Sequence, residues 1–171
     1  MTDQRIEVVP YDPAWPARFD EERRLLEDVL GPWLESGIHH VGSTAVPGLA
    51  AKPVIDILAG VRDREDARAA FDSLAALGYC YFPYRADEMH WFCKPSPAFR
   101  THHLHLIEPA HPRFAAELAF RDELRAHPET AAEYAALKLR LAERHRDDRE
   151  AYTEGKTAFV EAVLARVAAT S

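Results

Sequence analysis

The sequence predicts an α+β (mixed α/β) fold with a C-terminal helical segment, and three observations carry that prediction. A helix-spaced apolar segment comes first. Between residues 38 and 108 short apolar runs follow, bounded by Gly and Pro. From Pro112 onward the chain becomes amphipathic and rich in Ala, Leu, Glu and Arg.

Taken in order, "YDPAWPARFDEERRLLEDVLGPWL" opens on turn chemistry at Asp12-Pro13 and Trp15-Pro16. Phe19, Leu25, Leu26, Val29 and Leu30 then fall close to helical spacing, and Gly31-Pro32 should end that helix. "GIHHVGS" reads as a short strand after Gly37, and "PVIDILAG" as a buried strand between Pro53 and Gly60, with "TAVPGLAA" as the loop joining them. "DREDARAAFDSLAALGY" reads as a helix with an acidic first turn and Gly78 just past its end. "YCYF", "HWFCK" and "THHLHLIE" read as three further strands. Three helical stretches close the chain, with Pro128 at the tolerated start of the second and Gly155 inside the last. The 171 residues suit a single domain, 1–171, with a helical tail from about 111.

Composition bounds the function. A formal net charge of −7 argues against a broad duplex-binding surface, because phosphate recognition on that scale needs clustered Lys and Arg. No apolar stretch reaches the ~18 residues of a membrane span. "MTDQRIEVVPYDPAWP" lacks the pattern of a signal peptide, so a cytoplasmic location is expected, with Cys80 and Cys93 reduced.

The chemistry centres on Asp56. In a strand Val54, Asp56 and Leu58 share one face, and a carboxylate there must be paired, hydrogen-bonded or metal-bound. The preceding Gly42-Ser43-Thr44 can offer backbone N–H groups and hydroxyls to a phosphate, and Lys52 can neutralise one. A solvated lysine and an ordinary turn are the plainer alternatives. A phosphate cradle followed by a strand carboxylate is the arrangement that phosphoryl or nucleotidyl transfer needs.

"VGSTAVPGLAAKPVIDI", with "YDPAWPARF", "THHLHL", "FRDELRAHP" and "YAALKLRLA", resembles the GrpB family of the nucleotidyltransferase (DNA polymerase beta-like) superfamily, from about Tyr11 to Phe159. The resemblance implies a small mixed sheet flanked by helices. It implies that Gly42-Ser43 corresponds to the glycine-serine phosphate motif and Asp56 to the first metal-binding aspartate. The superfamily usually places a second acidic residue two positions later, where this chain has Leu58, and leucine cannot bridge Mg²⁺ ions.

The superfamily also takes a third carboxylate from a later strand, and "THHLHLIE" is the candidate for that strand. Alternation places His103 and His105 on one face and His102, Leu104 and Leu106 on the other. Asp56, His103 and His105 would form a two-histidine, one-carboxylate set for a divalent metal, suiting Zn²⁺ or Mn²⁺ better than Mg²⁺. Hydrogen-bonded sheet histidines are the alternative.

Arg100 is a candidate for bidentate phosphate contact. The resemblance raises Arg121 as a nucleotide or substrate contact; Lys138 and Lys156 are weaker candidates. His39 and His40 read as structural, Glu88, His90 and Lys94 as residues near the pocket, and Trp15, Trp33 and Trp91 as core or helix anchors. The expected function is metal-dependent transfer of a nucleotidyl or phosphoryl group to a small-molecule acceptor. Alternatives are a non-catalytic nucleotide or metabolite binder and a His-rich metal-dependent hydrolase.

Overall fold

The structure is a computed structural model and describes residues 3–171; Met1 and Thr2, which open the segment read against a signal peptide, lie outside it. Helix α1 (Trp15–Leu30) has Pro16 in its first turn, where a missing N–H costs nothing, and stops at Gly31-Pro32. Trp15, Phe19, Glu22, Leu26 and Leu30 form its buried stripe. Leu25, at 46% exposure, falls on the outer face instead.

Strand β1 (Leu34–Val41) begins before the predicted start, because Gly37, at φ +74°, lies within a register shift between Leu34 and Ile38 rather than ending the strand. Strand β2 (Ile55–Val61) pairs antiparallel with it. The next predicted helix is instead a 3₁₀ turn (Asp66–Ala70) that leads into the short helix α2 (Phe71–Ala76). Asp63 starts the turn by accepting the backbone N–H groups of Glu65 at 2.8 Å and Asp66 at 3.0 Å. Strands β3 (Cys80–Phe82), β4 (His90–Pro95) and β5 (Arg100–Ile107) complete a five-stranded mixed sheet in the order β1-β2-β5-β4-β3. Only the central β2–β5 pair is parallel. Cys80 and Cys93 stand opposite each other across β3 and β4 as free thiols.

The two faces of this sheet have different fates. Ile55, Ile57, Ala59 and Val61 of β2 join Phe92, Leu104 and Leu106 in the main core beneath α1 and α2. The opposite face carries Asp56, Leu58, His103 and His105, and only part of it is covered, by Phe114 and Leu118 of α3 (Pro112–Ala126). Helices α4 (Pro128–Arg144), α5 (Arg149–Glu154) and α6 (Thr157–Thr170) complete the tail. The last predicted helix is therefore two. The chain breaks at Gly155, whose backbone packs so closely on Leu141 that a Cβ there would press on that side chain. Tyr134 of α4 and Phe159 of α6 stack against each other, and Tyr134 packs in one cluster with Val46 and Leu49 of the β1–β2 loop. The tail thus walls the uncovered half of the sheet. Among the described residues no helix is long and apolar enough to cross a membrane.

Candidate functional site

The uncovered half-face is the floor of a cleft of about 950 Å³ between the sheet, the β1–β2 loop and the helical tail. Asp56 sits on that floor, opposite Val41 on one side and His103 on the other. His103 Nδ1 lies 2.9 Å from Asp56 Oδ1. A carboxylate only accepts, so Nδ1 carries the hydrogen and Nε2 keeps its lone pair; Nε2 is buried and has no protein partner. Burial opposes the charge on Asp56, but the His103 hydrogen bond and the positive field of His103, His105 and Lys52 outweigh it and hold the carboxyl at about 2. Burial pushes the His103 ring below its ordinary value despite Asp56. The pair is therefore a carboxylate orienting a neutral imidazole.

Gly42 closes the end of β1 over this pair. Its φ is +71°, and a Cβ there would overlap Asp56 Oδ2. Only glycine lets the backbone come this near the carboxylate.

His105 shares the sheet face with His103 but turns the other way. Its Nδ1 lies 3.1 Å from both oxygens of Glu117 on α3, and Glu117 accepts from Arg113 Nε at 2.9 Å. Burial works against the charged ring, yet Glu117, reinforced by Asp56, raises His105 above its ordinary value. The expected ligand set of Asp56, His103 and His105 is thus not assembled: one imidazole is spent on Asp56, and the other is biased towards an imidazolium, which has no lone pair for a metal. Among the described residues no group of three or more His, Cys, Asp or Glu side chains is placed to hold an ion. The donors do not fit a resident Mg²⁺, Mn²⁺ or Zn²⁺ ion held in that way.

Cations line the cleft instead. Lys52, Lys138, Lys156 and Arg100 all face it, and none has a carboxylate partner among the described residues. Lys52 and Lys156 flank the Tyr152 ring, with Nζ 4.9 and 4.6 Å from its centroid. Lys138 is 1% exposed and donates to the Ala50 carbonyl at 2.5 Å. Burial first, and the neighbouring lysines second, lower Lys138 to about 7 and Lys52 to about 8. Like charges crowded in a half-dry site attract an anion. The Arg100 guanidinium lies over the Trp91 ring at 5.0 Å.

Gly42, Ser43, Thr44, Lys52, Asp56, Arg100, His103 and His105 all line this one cleft, as the sequence predicts. Thr44 differs in role: its hydroxyl donates to the Val54 carbonyl at 3.0 Å and accepts from His40 Nε2 at 2.9 Å, so it pins the loop. Arg121 is elsewhere. It donates to the His40 carbonyl at 3.2 Å and lines a separate groove between α1 and α3 beside β1. Lys94 points to the opposite sheet face, where it meets Glu22 of α1 at 2.5 Å. His90 is buried and donates to the Arg64 carbonyl at 2.9 Å, away from the floor.

Sequence reasoning missed Glu117 and underrated Lys138. The signal for Lys138 was its spacing: Tyr134, Lys138 and Ala142 are the buried stripe of α4, and a lysine on an apolar stripe has been placed there for its charge or its stem. It also assigned Trp91 to the core, whereas the residue walls the cleft.

The fold defines the class of protein. GLD-2, a nucleotidyltransferase solved in complex with RNP-8, superposes with a TM-score of 0.57 at 12% identity, covering 88% of this chain and 60% of that one. The fold is that of nucleotidyltransferases. Within it the chain belongs to the GrpB family, whose model, described as GrpB protein, matches residues 5–166. The crystal structure of the conserved protein GrpB from Enterococcus faecalis aligns with a TM-score of 0.86 and 34% identity, over 94% of this chain and 96% of that one. The UPF0157 protein PA4798 of Pseudomonas aeruginosa is 45% identical over 98% of this chain, which spans 69% of PA4798.

Proposed function

We propose that the cleft binds a nucleoside triphosphate and that its nucleotidyl or phosphoryl group is transferred to a small-molecule acceptor. The observation that carries this reading is the convergence of Lys52, Lys138 and Lys156, free of carboxylate partners, on the same cleft as the Gly42-Ser43 turn and Asp56. The lysines and Arg100 neutralise phosphate oxygens while Gly42 admits them close to the strand end. Asp56 holds His103 in the tautomer whose Nε2 accepts a proton, the role an acceptor hydroxyl requires as it attacks phosphorus. The reading takes the cytoplasm as its compartment, where triphosphates and free thiols such as Cys80 and Cys93 coexist.

One observation favours a second reading, binding without turnover. Leu58 stands where the superfamily places its second carboxylate, and it is fully buried among Val41, Met89, Trp91 and Ile107.

Thermal unfolding of the metal-stripped chain with each common nucleoside triphosphate tests both. A ligand at 100 times its Kd stabilises by about 2.7 kcal/mol. A shift lost in the Lys52→Met/Lys156→Met double variant supports the proposed site, and no shift with any triphosphate would falsify it. Radiolabel from the α- or γ-phosphate appearing on an acceptor supports transfer; a shift without labelled product favours the second reading.

A further inference from the structure

The geometry points to a nucleobase-stacking wall at the end of the cleft formed by Phe82, Tyr84 and Trp91, on the hairpin of β3 and β4. The inference rests on the triphosphate reading and adds the direction in which the nucleotide lies. Phe82 and Tyr84 are 44% and 39% exposed, whereas Trp91, Tyr134 and Tyr152, the other large rings of the lining, are 6%, 6% and 1% exposed. Among the described residues, ring surface open to stacking in this cleft is therefore confined to the hairpin and the half-buried Phe120.

The wall is held rigid. Phe82 and Tyr84 meet Trp91 edge to face, with centroids 6.0 and 5.9 Å apart. Trp91 lies 5.0 Å from the His103 ring, so the wall adjoins the Asp56–His103 pair directly. Arg85 braces the tip: its guanidinium lies 5.6 Å from the Tyr84 ring centroid and its Nε donates to the Tyr84 hydroxyl at 3.3 Å. It does so at φ +48°, the one positive φ outside glycine among the described residues. A non-glycine residue kept in that region marks a position whose surroundings fix it, and such positions gather at ligand sites.

A triphosphate anchored on Lys52, Lys138 and Lys156 would run past Asp56 and His103 and leave its base at the hairpin. Recognition by stacking tolerates all bases, because each has a π-face. The wall therefore predicts weak discrimination between purine and pyrimidine nucleotides, with the ring adding affinity beyond the phosphates.

Isothermal titration of the full chain with ATP, UTP and inorganic tripolyphosphate provides the test. The expected result is that both nucleotides bind more tightly than tripolyphosphate. Phe82→Ala/Tyr84→Ala should then lose roughly 5- to 100-fold for the nucleotides and nothing for tripolyphosphate, while Tyr84→Phe retains the advantage. Unchanged tripolyphosphate binding serves as the control for folding. Nucleotides no tighter than tripolyphosphate would overturn the wall while leaving the phosphate reading intact. So would an advantage that survives the double variant, or a double variant that only abolishes self-association. Binding of neither nucleotides nor tripolyphosphate would overturn both.

Discussion

Asp56 and His103 face each other across the one parallel pair of the sheet, and His103 Nδ1 lies 2.9 Å from Asp56 Oδ1. The hydrogen bond joins two residues that strand alternation alone places on the same side. It makes Asp56 an orienting group for an imidazole rather than one of three metal ligands.

Acid should expose this pair. Asp56 is held at about 2, below its ordinary 3.8, so its contribution is complete above pH 3.8 and is lost as pH falls towards 2. His103, also shifted downward, adds a loss that begins below pH 6.5. Urea unfolding at pH 7, 4 and 2.5 should show a decline of about 1–2 kcal/mol from Asp56 between the last two points, absent in Asp56→Asn.

Gly42→Ala should destabilise the chain by about 1–3 kcal/mol, since it adds strain at a positive φ to a collision with the carboxylate. Asp56→Ala in the same chain removes the colliding oxygens and should recover part of the loss. Denaturant midpoints of the two single variants and the double measure that coupling.

The lysine cluster should set stability against function. Lys138 and Lys52 sit at about 7 and 8, below their ordinary 10.5, so the unfolded chain binds more protons between those values. Stability of the free protein should therefore rise from pH 7 to 10. Saturating tripolyphosphate, by neutralising the cluster, should flatten that rise, and differential scanning fluorimetry across the range reads it. An equal slope with and without the anion contradicts the prediction.

His105 and Glu117 give a site-specific reading. His105 is raised above 6.5 by Glu117, so the pair's contribution is complete below pH 6.5 and is lost as pH rises through the folded value. In Glu117→Gln, heteronuclear NMR titration should find the His105 ring below 6.5, because burial then acts with little opposition. The same variant should not acquire a Zn²⁺-induced thermal shift dependent on Asp56.

Much of the floor was legible in the sequence because it is local. The order of elements, the Gly42-Ser43 turn and the shared face of Asp56, His103 and His105 all follow from a two-residue period and from glycine chemistry. The walls were not, because they come from tertiary packing. Glu117 captures His105 only because α3 crosses the sheet there, and Lys138 and Lys156 reach the cleft only because α4 and α6 fold back over the β1–β2 loop. Arg121 shows the converse error. Its place in an FRD motif says nothing about which side of α3 faces the cleft, and it lies beside β1 instead. The split of the last helix at Gly155 depends on contact with Leu141, which the helical pattern of residues 149–170 does not register.

The Asp56–His103 bond spans 47 residues of chain. Closing such a loop costs entropy that local contacts cannot offset, so the β2–β5 pairing forms only with the packing that supports it. The lysines belong to helices that dock on the finished sheet. A nascent or partly unfolded chain therefore holds the cations and the carboxylate far apart. Anion affinity in this protein is then a property of the completed topology, and any probe of that affinity is also a count of correctly folded molecules.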